Sequence, residues 1–383
     1  MGMQRRIRND QQGVTLIELL IGAVVAVIVI AAGFAVLTSS NKAVVTNGQT
    51  VETQQNVRMA MEFLFRDIRQ AGFGMSGPVG NCPTAIVPAD NNPAGPDRGP
   101  DRISLVVPVG NPVGTATDPA WVLTTDMSIG SGLPIPLPSA GAVTNMASEA
   151  GGSLTAPGPA TISIGGAITT TVTGTSGANL TVPTALSPTV MKQNSPIYLL
   201  QCITYQIIPP PDAAGLCGGR SPCLVRGVAG GVNAAGVLDC TTAASRCTSI
   251  ADEIEDIQFA YGCDGCVATI NSGAADGIID NQGGAAGFDQ ADFVTNNAWA
   301  TAPLTADKIQ LAQVTIVGRQ RSADQGFGER NQHTPQGMAL QVSDHLHSDG
   351  VFVAGDYAAL TPPYAMTRRR LLTRTVEVRN LRH

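Results

Sequence analysis

Charged and aromatic side chains are scarce in this chain of 383 residues, at 14% and 4%. The deficit argues against a compact catalytic domain. With 43 glycines and 25 prolines, much of the chain must be strands and loops. Histidine is limited to His333, His345, His347 and His383, and none stands in the spacing of a Cys/His zinc site. No cysteine pair is followed by histidine, so covalent haem attachment is not indicated. No Ser-His-Asp order, P-loop or HExxH motif is present. The sequence therefore assigns no enzyme activity, cofactor, metal or small-molecule substrate. The formal net charge of -6 becomes -8 without residues 1–13, which carry Arg5, Arg6, Arg8 and Asp10. A mildly acidic body of this kind disfavours nucleic acid as a partner.

What the chain has in quantity is an uninterrupted apolar run, Leu19 to Leu37, about 28 Å long as a helix and close to the roughly 30 Å of a bilayer core. Arg5, Arg6 and Arg8 precede it, so the short N-terminal end belongs in the cytoplasm and the rest across the membrane. A cleaved secretory signal also begins basic and turns apolar, but its apolar stretch is shorter, and no small-x-small site closes this one.

Glu18 stands among Leu16, Ile17, Leu19 and Leu20, where an ionised carboxylate costs about 2.5 to 3.5 kcal/mol near a bilayer centre. Two readings stand. The carboxylate could rest near a helix N-terminus, favoured by the dipole. Alternatively, a cut after Gly13 would give Val14 a new amine and make Glu18 the fifth residue. The amine of one subunit could then meet the carboxylate of the next in a helical bundle, turning a buried charge into a registry device.

The run Gly13-Val14-Thr15-Leu16-Ile17-Glu18-Leu19-Leu20 resembles the class III signal of type IV prepilins and type II secretion pseudopilins. The resemblance implies cleavage after Gly13 by a prepilin peptidase, N-methylation of Val14, and Glu18 as the assembly carboxylate. The family's usual residue at the position of Val14 is Phe.

Beyond the membrane run, Val57, Met61, Leu64, Phe65 and Ile68 draw one apolar helical stripe, with Arg58, Glu62, Arg66, Asp67 and Arg69 over much of the remainder. Gly72 and Gly74 stop the helix. The expected fold is α+β: a leader peptide at 1–13, a hydrophobic helix half at 14–38, an amphipathic half at 39–74, and a β-rich head at 75–383. Strands are expected at Ile103 to Val107, around Ile203, Tyr205 and Ile207 with Cys223 to Arg226 as hairpin partner, around Ile257, Phe259 and Tyr261, at Ile309 to Val317 and at Thr373 to Val378. Together they make one antiparallel sheet beneath the helix. Residues 110–195, low in charge and rich in Thr, Ala and Gly, read as an inserted, surface-facing β segment with strands at 160–164 and 167–172, or as a partly disordered spacer.

Phe63 to Phe73, Ile254 to Gly262, and Arg368-Arg369-Arg370 before a last strand are similar to the PilW family of minor pilins. The resemblance implies a low-abundance pilin that primes or caps a filament with other minor and major pilins on an inner-membrane assembly platform. A secretion pseudopilin and a pilus-tip adhesin are the alternatives.

Eight cysteines, Cys82, Cys202, Cys217, Cys223, Cys240, Cys247, Cys263 and Cys266, all follow the apolar run, as suits an oxidising compartment. Connectivity is open by count alone. The local pairings are Cys217 with Cys223, Cys240 with Cys247 and Cys263 with Cys266, leaving Cys82 for Cys202, as structural staples. Three other clusters invite function and are read as surface features. Asp264, Asp276, Asp280, Asp289 and Asp292 lack the spacing of a Ca2+ loop and read as solvated turn residues. Asp344-His345-Leu346-His347 reads as a set of polar groups in water. The C-terminal arginines, from Arg368 to Arg382, read as protection of an edge strand.

Overall fold

The computed structural model describes residues 14–90, 99–129, 134–156, 158–183, 189–209, 212, 214–219, 222–228, 237–283, 287–295, 299–322, 340–342, 345–347 and 367–381. Residues 1–13, including Gly13, and Asp344, His333, Arg382 and His383 lie outside the described residues. The chain forms two compact units, Met1–Val51 and Glu52–His383.

One helix, α1 (Leu16–Gln70), contributes to both units. In the first unit, the large apolar side chains from Val14 to Val51 are 51% to 79% exposed, so nothing among the described residues covers them. In the second unit the stripe is buried: Val57, Met61, Leu64, Phe65 and Ile68 are at most 9% exposed. Gly72 and Gly74 end the helix with φ of 79° and 67°, a left-handed backbone that glycine adopts without steric cost.

The second unit carries two main antiparallel sheets, with smaller two- and three-stranded ones besides, where the sequence suggested one. The first contains β1 (Ile86–Ala89), β2 (Arg102–Val109), β3 (Thr161–Ile164), β4 (Ile168–Thr171), β5 (Ile197–Ile208), β6 (Cys223–Val228) and β7 (Thr248–Asp252). Its strand order is β1-β2-β5-β6-β7, with the hairpin β3-β4 joined through β3 to the start of β5. The expected hairpin is present, with Tyr205 opposite Arg226 and Ile207 opposite Leu224. The second sheet is β8 (Ile254–Cys263), β9 (Ile309–Arg319) and β10 (Arg369–Glu377), in that order. The chain changes sheets at Glu253, whose φ of 56° breaks the strand direction between β7 and β8. A single non-glycine residue in a left-handed conformation leaves no pattern in hydrophobicity, which is why the split was not legible.

The stripe on α1 packs into one core with both sheets, against Ile103, Leu105 and Ile203 of the first and Ile257, Val314 and Ile316 of the second. Each such side chain contributes about 1.5 to 3 kcal/mol on full burial. The helix crosses β9 closely at Gly318, where an added Cβ would lie 2.5 Å from Val57 Cγ2. Valine has no flexible end to move aside, so Gly318→Ala is expected to cost about 1 to 3 kcal/mol, measured by denaturant unfolding. A loss below a few tenths would place the helix farther from the strand.

Residues 110–195 differ in part from expectation. The two strands lie at Thr161–Ile164 and Ile168–Thr171, but the segment also holds α2 (Ala140–Glu149), started by Ser139, whose Oγ accepts the Ala142 N–H at 3.3 Å. It buries its own core, including Trp121, Leu123, Met146, Ile162 and Leu180. It is a β-rich insertion, as expected, packed as a lobe around its own core and not a spacer. Its apolar residues are spaced irregularly among Thr, Ala and Gly, so local periodicity carries little of the signal.

The cysteines form four disulfides: Cys82–Cys202, Cys217–Cys223, Cys240–Cys247 and Cys263–Cys266. The first closes a separation of 120 residues and ties the turn after α1 to the middle of β5. The chain-entropy argument gives this long closure more weight than the short ones.

Candidate functional site

The start of α1 is an N-terminal cap built from Thr15 and Glu18. The Glu18 N–H donates to Thr15 Oγ1 at 3.3 Å, and Glu18 Oε2 accepts from the Thr15 N–H at 3.4 Å. This reciprocal pair is a capping box, which satisfies two helix-terminal donors that water cannot reach in an apolar setting. Val14 precedes it, exposed and outside the helix. Of the two readings of Glu18, the local geometry supplies the first. The second needs another copy or another pilin, and the box leaves the carboxylate exposed to meet one.

Farther along the helix, within the second unit, the stripe contains an acid. The sequence reading puts Asp67 on the polar side with Arg66 and Arg69, yet it is 2% exposed. Its Oδ2 accepts from the Tyr205 hydroxyl at 2.7 Å and from Arg226 Nε at 2.8 Å, while Arg66 Nε donates to Oδ1 at 3.1 Å. Burial, and then the neighbouring Asp67 carboxylate, push the Tyr205 phenol far above its ordinary value, so it remains a proton donor. Residues 60, 64, 67 and 71 share one helical face by their spacing, so the placement of Asp67 was available in the sequence. Its partners on β5 and β6 were not.

Other polar contacts hold the helix to the strands. Thr53 Oγ1 donates to the Arg319 carbonyl at 3.3 Å and Asn56 Nδ2 to the Asp252 carbonyl at 3.0 Å. At the helix C-terminus, Asn380 Nδ2 lies 3.2 Å from the carbonyls of Arg69 and Ala71. These carbonyls have no partner within the helix, and the end of the chain supplies one. The acidic run before β8 is likewise internal: Glu253 pairs with Arg319 Nε at 2.8 Å, and Glu255 takes Arg369 in a two-point contact at 2.5 and 2.9 Å. Arg369 is therefore spent inside the fold, which corrects its reading as an edge charge, whereas Arg370 and Arg374 are exposed on β10.

Of the five aspartates beyond β8 read as solvated turn residues, Asp276 and Asp289 are exposed, and the other three depart from that reading. Asp264, Asp280 and Asp292 are buried. Asp280 accepts the N–H groups of Gly265, Cys266 and Val267, and Asp264 those of Asp276 and Gly277. Cys263, Cys266 and Asp280 lie close together, but the two sulfurs are bonded to each other and both Asp280 oxygens are occupied, so the donor set does not fit a metal. Short-range loop capping uses these carboxylates.

Backbone N–H donors from Asp289, Gly283 and Gln282 hold the Asp292 carboxyl below its usual range. A depressed carboxylate stabilises the fold fully above the ordinary Asp value of about 3.9 and loses that contribution as pH falls through the folded value. The protection of the Gln282, Gly283 and Asp289 amides, measured as exchange relative to the intrinsic rate at each pH, should therefore fall on acidification, and Asp292→Asn should remove most of that pH dependence. An unchanged dependence in the variant would assign the effect to another acid.

Residues 218–380 match the family described as Type IV Pilus-assembly protein W, and residues 8–34 match the Prokaryotic N-terminal methylation motif. No curated protein and no solved structure matches the chain. The first match takes in β6 to β10 and the residues that seat the helix, Arg226, Arg319 and Asn380. The second takes in Gly13, Val14 and Glu18. Together they support a type IV pilus-related pilin.

Proposed function

We propose that this chain is a PilW-like minor pilin of a type IV pilus. Prepilin peptidase cuts after Gly13, Val14 becomes the N-methylated terminus, and the protein waits in the inner membrane as a single-pass precursor with its head in the periplasm. From there the assembly platform builds it into an extracellular filament, where it primes or caps growth among other minor and major pilins. The observation that carries this reading is α1: one unbroken helix whose first half exposes every large apolar side chain and whose second half is the buried spine of a β-rich head. A bilayer, and then a bundle of like helices, supplies the cover that the first half lacks.

N-terminal sequencing and mass measurement of the protein from sheared filaments and from inner membranes test it. N-methylated Val14 in both pools is the expected result. An intact Met1, or a terminus after Leu37, would replace the reading with a simple anchored or secreted protein.

A further inference from the structure

In the second unit, the outer face of α1 and the edge strand β10 enclose a groove of about 840 Å³, whose lining includes Arg58, Phe63, Arg66, Arg69, Leu372 and Arg374. Its charge is one-sided. Glu62 is the one acid in the lining. Among the described residues, Arg58, Arg69 and Arg374 have no carboxylate partner, and Arg66 shares an Asp67 already held by Tyr205 and Arg226. The floor is apolar, formed by Met61, Phe65 and Leu372. Along the groove, β10 pairs with β9 on one side, and among the described residues nothing pairs with the other side of Arg370 to Val376. Such an edge presents alternate unpaired N–H and C=O groups, which another extended polypeptide completes.

We infer that this groove receives an extended, acidic segment of a neighbouring pilin subunit, added as a strand along β10 with its carboxylates against Arg58, Arg69 and Arg374. The inference rests on the minor-pilin reading and names the chemistry of the partner. Arg370 and Arg374 on the edge itself repel a second copy of the same strand, so the geometry selects a partner of opposite charge. Nucleic acid fits less well, although arginine and phenylalanine stand together. Arg66 lies over the Phe63 ring at 4.9 Å and Arg69 over the Phe65 ring at 5.9 Å, so each ring already has a guanidinium over one face, and Phe65 is buried besides.

The test is photo-cross-linking in filament-producing cells, with p-benzoylphenylalanine in place of Phe63 in the full chain and the adduct peptides identified by mass spectrometry. The expected adduct is an acidic, non-helical segment of another pilin, and its yield should fall about tenfold or more in the Arg58→Glu/Arg374→Glu variant, as for loss of close interfacial charge pairs. Both arginines are exposed, so the variant should fold, and its disulfide-intact yield verifies that. Three results overturn the inference: a yield indifferent to charge reversal, an adduct to the apolar helix of a neighbour, or an adduct to nucleic acid. The filament pool is assayed for the chain separately. Its absence there would remove the minor-pilin reading and the groove's partner with it, whereas presence without the acidic adduct removes the groove inference alone.

Discussion

Glu18→Ala should empty sheared filaments of this chain while leaving its amount in the inner membrane and the fold of its head unchanged. The head is a separate compact unit with its own core, so nothing in it depends on position 18. In the proposed assembly, what depends on the carboxylate is the next subunit's amine. Breaking one side of a buried ion pair costs about 3 to 5 kcal/mol, and with about 1.4 kcal/mol per factor of ten, incorporation should fall at least 100-fold. Glu18→Gln separates the two roles of the residue. Glutamine at this place in a capping box still bonds the Thr15 N–H, and a cap alone is worth about 0.5 to 2 kcal/mol. If the charge carries assembly, the glutamine variant fails as the alanine variant does. Full incorporation with glutamine would leave only the cap, and the amine-carboxylate pairing would have to be abandoned.

Asp67→Ala should destabilise the head by about 3 kcal/mol or more, because it leaves Arg226 without its anion beneath the helix and the buried Tyr205 hydroxyl with one remaining contact, to the Phe63 carbonyl at 3.5 Å. Asp67→Asn retains an oxygen to accept one of these bonds and should cost less. Denaturant unfolding of the full chain in detergent provides the measurement, and a double-mutant cycle with Arg226→Met isolates the pair. A coupling energy near zero would show that the network fills space without holding the helix. Under the proposed function, filaments containing the Asp67→Ala chain should also shed their heads to protease more readily, since the helix would be the element that holds a head to the filament.

Deleting residues 110–195 is the direct way to separate the adhesin alternative from the priming role, and the fold makes that deletion costly. Thr161–Ile164 pairs with Ile197–Leu200, so the deletion would take the hairpin β3-β4 out of the first sheet and expose the start of β5. Substitutions on the lobe's exposed surface keep that pairing intact and are the cleaner comparison.

Legibility in the sequence tracked the range of the interactions. The apolar run, the amphipathic stripe from Val57 to Ile68, the glycine stop, and the strands around Ile203, Ile257, Ile309 and Thr373 are each set by residues a few positions apart, and periodicities of 3.6 and 2 reveal them directly. The Thr15–Glu18 cap belongs to the same class, since three residues separate its partners.

Other features depended on partners that sequence distance conceals. Asp67 meets residues 138 and 159 positions away, Asn380 reaches back 309 positions to cap the helix, and Arg369 finds Glu255 across 114. Polar residues of these types are ordinarily solvated, and only the close approach of strands from two sheets makes their burial favourable, because each charge or donor then has its counterpart within 3.2 Å. The division into two sheets, the separate core of residues 110–195 and the one-sided charge of the groove beside β10 arise in the same way. The sequence by itself determined a membrane-length helix and the β-rich texture of the chain beyond it. Packing decided which polar groups are removed from water to hold that helix, since desolvation is a property of the assembled fold and of no short stretch of chain.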